Sequence, residues 1–320
     1  MLSIIIVNWN GKHHLKECFD SLRVQTSKDF EIVMVDNGSK DGSVEFIREN
    51  YPEVRLIELD YNSGFSQGNN IGIKESKGEF IVLLNNDTKV VPEWVESLLD
   101  AFERYPDAGL CASKIVYYSN PELIDSAGDG FAVCGVAFKR GHLQEESKYN
   151  SEQFVFGACG AGMAFRKAVL DEIGLLDEDF FAIYEDVDIS FRAQLRGYKC
   201  IFVPSAVINH KVNSTLGKMS NFYVYNGQRN AEYVYFKNMP KKLIWRTFHI
   251  HLFYNLLGLM YFTIKGRGWS FLKAKIYFLK DIPKIKEKRR LIQQNIKTET
   301  EYIYGLMEKK WLSSRMRGKM

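Results

Sequence analysis

The chain has 320 residues, 46% of them hydrophobic, and a formal net charge of +4 at neutral pH. This length allows a full apolar core in one large domain or two smaller ones. The five cysteines are scattered without a Cys-x-x-Cys pair, which argues against a disulfide framework or a zinc site and is typical of reduced thiols in the cytosol. The apolar start, Met1–Val7, lacks a basic region and is too short for a signal peptide, so it predicts a buried first strand.

The charge is unevenly distributed along the chain. From Lys237 to the end there are 20 Lys and Arg against 5 Asp and Glu, whereas the first 236 residues have 23 and 34. An acidic body with a basic end indicates two functional parts, residues 1–236 and 237–320, of which the second would bind an anionic surface. Nucleic acid and the anionic leaflet of a membrane are the two candidates.

Strands and helices alternate over the first 110 residues. Apolar runs at Ile4–Val7, Phe30–Val35 and Phe80–Leu84 predict strands, and the residues 11–23 and 43–49 between them have helical spacing. This alternation predicts βαβ units with right-handed crossovers and therefore an α/β fold with a mainly parallel sheet.

Three of the predicted strands end in polar turns, which would bring Asn8, Asp36 and Asp87 to one rim of the sheet. Ligands of open α/β sheets bind at this rim, at the carboxyl ends of the strands. The oxygen atoms of Asp87, in Asn85-Asn86-Asp87, suit Mg²⁺ or Mn²⁺, which in turn suit a diphosphate. The alternative for Asp36 and Asp87 is a plain polar turn, because Asp and Asn bond their own backbone in turns.

The second half of the predicted sheet region is less regular. The glycine-rich residues 154–165 predict a loop and a strand, and residues 111–149 give no clear strand assignment. The acidic run Glu185–Asp188 opens a predicted helix. Acids in a first helical turn commonly cap amides and complement the helix dipole, but three acids in four residues exceed what capping needs.

In their order and spacing these motifs resemble those of the inverting glycosyltransferases of family 2, which have the GT-A fold, and in particular its rhamnosyltransferase-like members. The resemblance runs from the first residues to about residue 210 and weakens after about residue 240. The matching segments are Ser3–Asn10, Val35–Ser39 with Asp41–Ser43, Asn62–Phe65 with Gly68–Asn70, Leu84–Asp87, Gly174–Glu178 and Tyr184–Asp188.

The resemblance implies a nucleotide-sugar half at about residues 1–110 and an acceptor half at 111–236. It assigns donor binding to Val7, Asn8, Asn10, Asp36, Gly64, Phe65, Asn69, Asn85 and Asn86. Asn85 replaces the first carboxylate of the family's Asp-x-Asp element, so Asp87 is the expected ligand of Mg²⁺ or Mn²⁺, which would act as a Lewis acid on the leaving diphosphate. His210 is expected as a further metal ligand, with a purely structural histidine as the alternative.

The resemblance also implies the chemistry. Asp186 is the expected general base, with Glu185 and Asp188 as catalytic neighbours, because clustered carboxylates push their pKa values apart. The implied reaction is transfer, with inversion, of L-rhamnose from dTDP-L-rhamnose to a hydroxyl of a growing, lipid-linked cell-surface polysaccharide. The alternatives are an enzyme that uses a UDP-sugar (galactose, glucose or N-acetylhexosamine) and a catalytically silent nucleotide- or carbohydrate-binding module of the same fold.

The basic C-terminal part predicts helices and contact with lipid. Residues 250–264 are apolar with flanking cations, but 15 residues are too few to span a bilayer, so an interfacial helix is expected, with a buried core helix as the alternative. The charge run 280–290 is either a solvated helix or a contact with anionic lipid, which the excess of positive charge favours. We therefore expect a cytoplasmic protein, peripheral at the inner face of the cell membrane, and no nucleic-acid partner, since no recognisable nucleic-acid-binding module is present.

Overall fold

The structure, a computed structural model, describes residues 1–212 and 220–311. The strands are β1 Leu2–Asn8, β2 Phe30–Asn37, β3 Arg55–Leu59, β4 Phe80–Leu84, β5 Thr88–Val90, β6 Ala108–Tyr117, β7 Asn120–Ser126, β8 Asp129–Phe131, β9 Ala137–Lys139, β10 Gln153–Val155, β11 Gly162–Arg166 and β12 Lys199–His210. The α-helices are α1 Lys12–Arg23, α2 Ser43–Asn50, α3 Gly64–Glu75, α4 Trp94–Arg104, α5 Lys167–Ile173, α6 Glu185–Leu195, α7 Asn221–Asn238, α8 Lys241–Ile264, α9 Gly268–Lys280, α10 Ile282–Gln293 and α11 Thr300–Leu306. A short 3₁₀ helix spans Glu146–Lys148.

The main sheet has the strand order β10-β12-β6-β11-β4-β1-β2-β3, with β5 paired to β12 and β7 paired to β6. Strands β3, β2, β1 and β4 are mutually parallel, and β6 is parallel to β12. Strand β11 runs antiparallel between β4 and β6. This arrangement, with helices on both faces, confirms the predicted α/β fold.

Residues of β1 show how the sheet is buried on both faces. Successive side chains of a strand point to opposite faces. Ile4 and Ile6 accordingly pack with α1 and α4, whereas Ile5 packs on the other face with Ile73 of α3. Because both faces are covered, β1 is an almost continuous apolar run, as expected for a central parallel strand.

Helices α7–α11 pack against α6 and the loop before it and share an apolar core with them. Phe180, in the loop before α6, and Phe191, within α6, lie in one apolar cluster with Leu243, Phe278 and Ile303 of the C-terminal helices. The predicted division at residue 237 falls within α7 and stays a prediction, and residues 312–320 of the second part lie outside the described residues. None of the described helices is long and apolar enough to cross a membrane.

Candidate active site

The carboxyl ends of β1, β2 and β4 meet at one rim, and hydrogen bonds connect their polar residues. Asn8 and Asp36 are direct neighbours in the β1–β2 register, and Asn8 Nδ2 donates to Asp36 Oδ1 at 2.9 Å. Asn86 Nδ2 donates to Asn8 Oδ1 at 2.7 Å. The backbone N–H of Ser39 donates to Asp36 Oδ2 at 2.8 Å, so the polar turn that the sequence suggested at Asp36 is present in addition to its place on the rim.

Asn10 extends this rim toward solvent. It adopts a left-handed backbone with a φ of 51°, its backbone N–H donates to Ser39 Oγ, and its Oδ1 accepts from the N–H of Lys40. Val7 and Asn85 are half-buried at the ends of β1 and β4. Of the predicted donor residues, Asn69 differs, because its side-chain amide donates to the Phe65 carbonyl within its own helix.

Helix α3 begins at Gly64, directly against the segment that precedes the acidic motif. Gly64 has a φ of +83°, and an added Cβ would lie 2.6 Å from the Phe181 carbonyl oxygen. The Phe65 N–H donates to that same oxygen at 2.7 Å, and Ser66 Oγ donates to the Phe180 carbonyl. The close approach explains why a glycine is needed here.

The acidic motif follows two residues in a left-handed conformation. Ile183 and Tyr184 have φ values of 74° and 78°, which cost about 1–3 kcal/mol each for residues other than glycine. Asn230 of α7 compensates by donating from Nδ2 to the carbonyls of Ala182 and Ile183, at 3.0 and 2.6 Å. Backbone strain of this kind is concentrated at functional sites, and the acidic motif begins directly after these two residues.

Asp186 is held by backbone amides. Its Oδ2 accepts from the N–H of Gly160 at 2.9 Å and its Oδ1 accepts from the N–H of Val187 at 2.8 Å. Burial raises the pKa of Asp186, although these two N–H groups act in the opposite direction. A raised pKa brings a carboxylate closer to the range in which it can accept a proton at neutral pH.

Glu185 and Asp188 have different environments. Glu185 is buried, and burial followed by the nearby Asp186 raises its pKa, which favours the neutral acid. Asp188 is fully buried and pairs with Lys237 Nζ at 2.7 Å and with Arg192 Nε at 2.9 Å. Burial alone would raise the pKa of Asp188, but these two cations hold it below its ordinary value.

His210 lies between two carboxylates. Its Nδ1 is 3.0 Å from Asp125 Oδ2 and its Nε2 is 3.3 Å from Asp87 Oδ1. Because a carboxylate can only accept, each ring nitrogen donates its hydrogen in these contacts. Burial alone would lower the pKa of His210, but its hydrogen bonds to Asp125 and Asp87 raise it to about 9. A divalent cation beside Asp87 would take the place of the Nε2 hydrogen, while Nδ1 keeps its bond to Asp125. A histidine oriented by a second carboxylate is the usual support of a metal ligand. This donor set of one carboxylate oxygen and one imidazole nitrogen fits Mn²⁺ well and Mg²⁺ less well.

Sequence reasoning missed Asp125, Asp129 and Lys139, all from the stretch it could not assign. Asp125 is fully buried, and Lys139 Nζ donates to both of its carboxylate oxygens at 2.8 Å. Asp129 is mostly buried, and burial followed by Asp186 raises its pKa to about 7. No local sequence pattern marks these residues, because Asp125 and Asp129 act on His210 and Asp186, which lie more than 50 residues further along the chain.

A second group of possible metal ligands lies beside the acidic motif. Asp129, Asp186 and Cys159 have ligand atoms within 4.8 Å of one another. Burial raises the pKa of the Cys159 thiol well above its ordinary value, and a protonated thiol is a poor ligand. The His210–Asp87 pair therefore fits a divalent cation better.

The two halves of the site meet at residues 160 and 161. The N–H of Asn85 donates to the Ala161 carbonyl at 3.3 Å, and the N–H of the preceding residue, Gly160, donates to Asp186. The Phe65 ring also reaches this point, 3.5 Å from where a Cβ on Gly160 would lie. The strand end that carries Asp87 is thus joined to Asp186 through one short segment.

Comparison with known sequences identifies a family and a relative with a named activity. The sequence model of "Glycosyl transferase family 2" matches residues 3–174. An N-acetylglucosaminyl-diphospho-decaprenol L-rhamnosyltransferase of Mycobacterium tuberculosis is 30% identical over 240 residues, which are 67% of this chain and 78% of that protein.

Comparison with solved structures identifies the same fold. GalNAc-T7 with UDP, GalNAc and Mn²⁺ superposes with a TM-score of 0.60 at 20% identity, over 72% of this chain and 47% of that one. A mannosyltransferase from Pyrobaculum calidifontis, in complex with GDP-Man and Mn²⁺, superposes with a TM-score of 0.55 at 15% identity, over 95% and 85%.

Proposed function

The chain belongs to glycosyl transferase family 2 and is a nucleotide-sugar glycosyltransferase, and from that premise we propose that it transfers its sugar with inversion, using Asp186 as the base. The observation that carries the proposal is the junction at residues 160 and 161, which joins the Asp87 strand end to Asp186. A transferase needs this proximity, because a diphosphate leaves on one side of the sugar as a hydroxyl attacks from the other.

We propose that the donor lies along the rim formed by Asn8, Asp36 and Asn86. Asp36 would accept from a base or ribose group, as a carboxylate after a strand does in nucleotide-binding α/β folds. The similarity to a mycobacterial L-rhamnosyltransferase supports dTDP-L-rhamnose as donor, with UDP-sugars as the second candidates.

Asp87 and His210 would hold a divalent cation, Mg²⁺ or Mn²⁺. Bound there, it would neutralise charge on the leaving diphosphate as a Lewis acid. Support comes from the orientation of His210 by Asp125 and from the Mn²⁺ in both structural relatives. Asp125 would thus position a metal ligand without contacting the metal.

In the proposed reaction, Asp186 accepts the proton of the acceptor hydroxyl while that oxygen attacks the anomeric carbon. Glu185 stays a neutral neighbour, and burial keeps the pKa of Asp186 raised. For Asp188 we propose a structural role, because its buried carboxylate is held in ion pairs with Lys237 and Arg192.

We propose that the acceptor is a growing, lipid-linked cell-surface polysaccharide at the inner face of the membrane. The decaprenol-linked acceptor in the name of the mycobacterial relative supports this proposal. It would explain why an acidic catalytic body is joined to a basic helical part.

The test is a donor screen of the purified protein with dTDP-L-rhamnose and UDP-sugars, in Mn²⁺, Mg²⁺ and excess chelator. We expect slow hydrolysis of one donor, stimulated by metal. Binding of a nucleotide sugar without turnover, even with a lipid-linked acceptor, would support the silent module instead. Turnover that is unchanged in chelator would contradict the metal site.

A further inference from the structure

Helix α8 exposes large apolar side chains along one face. Of the 25 large apolar side chains that are exposed in the described residues, 13 lie between Trp245 and Leu279. Those that define the apolar face of α8 follow one another at helical spacing: Trp245, Phe248, Leu252, Leu256, Met260 and Ile264. Contiguous apolar surface of this kind marks an interaction site on a protein.

The opposite face of α8 fixes its orientation. Leu243, Thr247, His251 and Tyr254 are buried against the body. The His251 ring lies with Nδ1 2.8 Å from the Cys134 carbonyl and Nε2 2.9 Å from the buried carboxylate of Glu232. These contacts attach one side of α8 to the body of the protein. The apolar face is therefore the outer side of a helix that is already packed on its inner side.

The hairpin formed by α8 and α9 continues the exposed surface. Ile264, at the end of α8, is 80% exposed and Trp269, at the start of α9, is 71% exposed. The turn between them carries Lys265 and Arg267. Helix α9 then adds four more exposed apolar side chains: Leu272, Ile276, Tyr277 and Leu279.

The charge of this hairpin selects the partner. Residues 241–280 contain eight Lys and Arg and no Asp or Glu. A second copy of this hairpin would bring two positive surfaces together, whereas an anionic bilayer offers both an apolar interior and negative headgroups. Two of the eight are paired within the chain, Lys275 with Glu232 and Arg246 with Glu301.

We propose that the apolar face of α8 and the tip of the α8–α9 hairpin lie in the interface of an anionic bilayer, with α8 along the membrane surface. Tryptophan, tyrosine and lysine are the side chains that favour this depth. The inference deepens the proposed function, on which it rests for the lipid-linked acceptor. It would keep the catalytic body within reach of an acceptor that cannot leave the membrane.

The first test is co-sedimentation with phosphatidylcholine vesicles that contain no or about 30 mol % phosphatidylglycerol. We expect the wild-type protein to bind the anionic vesicles and a Leu252→Glu/Leu256→Glu variant to bind at least about tenfold more weakly. The matched control is Val24→Glu/Leu291→Glu, which changes two side chains of similar exposure outside the face and should bind like wild type.

A second test does not depend on the folding of a charged variant. Brominated anionic lipid should quench the tryptophan fluorescence of the wild-type protein, and this quenching should be largely lost in Trp245→Phe/Trp269→Phe. Absence of vesicle binding by wild type, equal binding by the Leu252/Leu256 variant, or a concentration-dependent dimer that this variant disperses would overturn the proposal. Nucleotide-sugar binding in solution is measured in parallel, so that a failure of the proposed function is seen separately.

Discussion

At the scale of single residues, the partners of each carboxylate decide what it can do. Asp186 and Asp188 lie two positions apart on one helix, yet the first accepts from two amide N–H groups and the second pairs with two cations. A carboxylate held by two cations is a weak base, since protonation would break both pairs. The difference selects Asp186 as the base in a way that the acidic run in the sequence cannot.

We expect Asp186→Asn to lower the rate of sugar transfer by about 10³-fold, because the amide cannot accept the acceptor proton. Nucleotide binding should change by less than about twofold, since the donor rim lies at other strand ends. Steady-state kinetics and calorimetric titration with the nucleoside diphosphate give the two values. Asp179→Asn, in the preceding loop, serves as control and should keep most activity; a fully active Asp186→Asn variant would remove Asp186 as the base.

The second prediction at this scale concerns His210. We expect His210→Gln to weaken Mn²⁺ binding by about 10–100-fold, because the amide replaces the imidazole nitrogen that faces Asp87. The Mn²⁺ affinity is measured by electron paramagnetic resonance in the presence of a nucleoside diphosphate, without reference to activity.

His142→Gln is the matched control for this variant. The His142 ring also contacts Asp125, with Nδ1 3.1 Å from its backbone carbonyl, but not Asp87. Its change should leave Mn²⁺ affinity within about twofold of wild type. If both variants, or neither, lose affinity, His210 is not a metal ligand.

At the scale of elements, sequence periodicity predicts the first strands and helices well and fails where distant contacts decide. The helix α3 is an example: its glycine- and asparagine-rich sequence has low helix propensity. It forms because Asn70 bonds the Leu176 carbonyl at 2.8 Å and accepts from the Leu176 N–H at 3.0 Å, while Ser66 bonds Phe180. Strand β11, antiparallel in the sheet, and the short strands β7–β9 are likewise set by pairing rather than by local pattern.

Glu232 of α7 connects three helices and makes the stability of the helical part depend on pH. Its carboxylate contacts His251 of α8 and Lys275 of α9. Burial alone would raise the pKa of Glu232, but Lys275 and His251 lower it from 4.5 to about 2. Burial lowers the pKa of Lys275 more than Glu232 raises it. The shift at the lysine therefore offsets part of the stability that the lowered pKa of Glu232 provides.

We therefore expect Glu232→Gln to lower the free energy of unfolding by about 1–2 kcal/mol near neutral pH. A depressed pKa gives stability that is fully present above the unfolded value of 4.5 and is lost as the pH falls toward 2. The difference in free energy of unfolding between the wild-type protein and Glu232→Gln should thus shrink below about pH 4.5. Denaturant unfolding at several pH values measures it. Glu301→Gln, which removes an exposed pair with Arg246, is the control and should cost less than about 0.5 kcal/mol; a difference that grows on acidification would contradict the assignment.

At the scale of the whole molecule, the positive charge of the C-terminal part also forms ion pairs with the acidic body. Part of the positive excess is directed inward: Lys237 and Lys288 pair with Asp177, and Lys284 and Lys288 pair with Asp179, in the loop that leads to the acidic motif. The sequence predicts a basic part, but composition does not tell which of its lysines pair with the acidic body and which face away from it.

These contacts lead to the last prediction, which concerns the division at residue 237. A chain that ends at Phe236 would leave Asp177 and Asp188 buried without Lys237, and breaking a buried pair costs about 3–5 kcal/mol. It would also expose the cluster that Leu243, Phe278 and Ile303 complete, at about 1.5–3 kcal/mol for each side chain. The sum is comparable to the whole stability of a domain, about 5–15 kcal/mol. We expect the chain of residues 1–236 to show no cooperative thermal unfolding by circular dichroism. A chain that ends at Trp311 is the control and should unfold like the full-length protein. Cooperative unfolding and nucleotide binding by residues 1–236 alone would instead establish an independent catalytic domain.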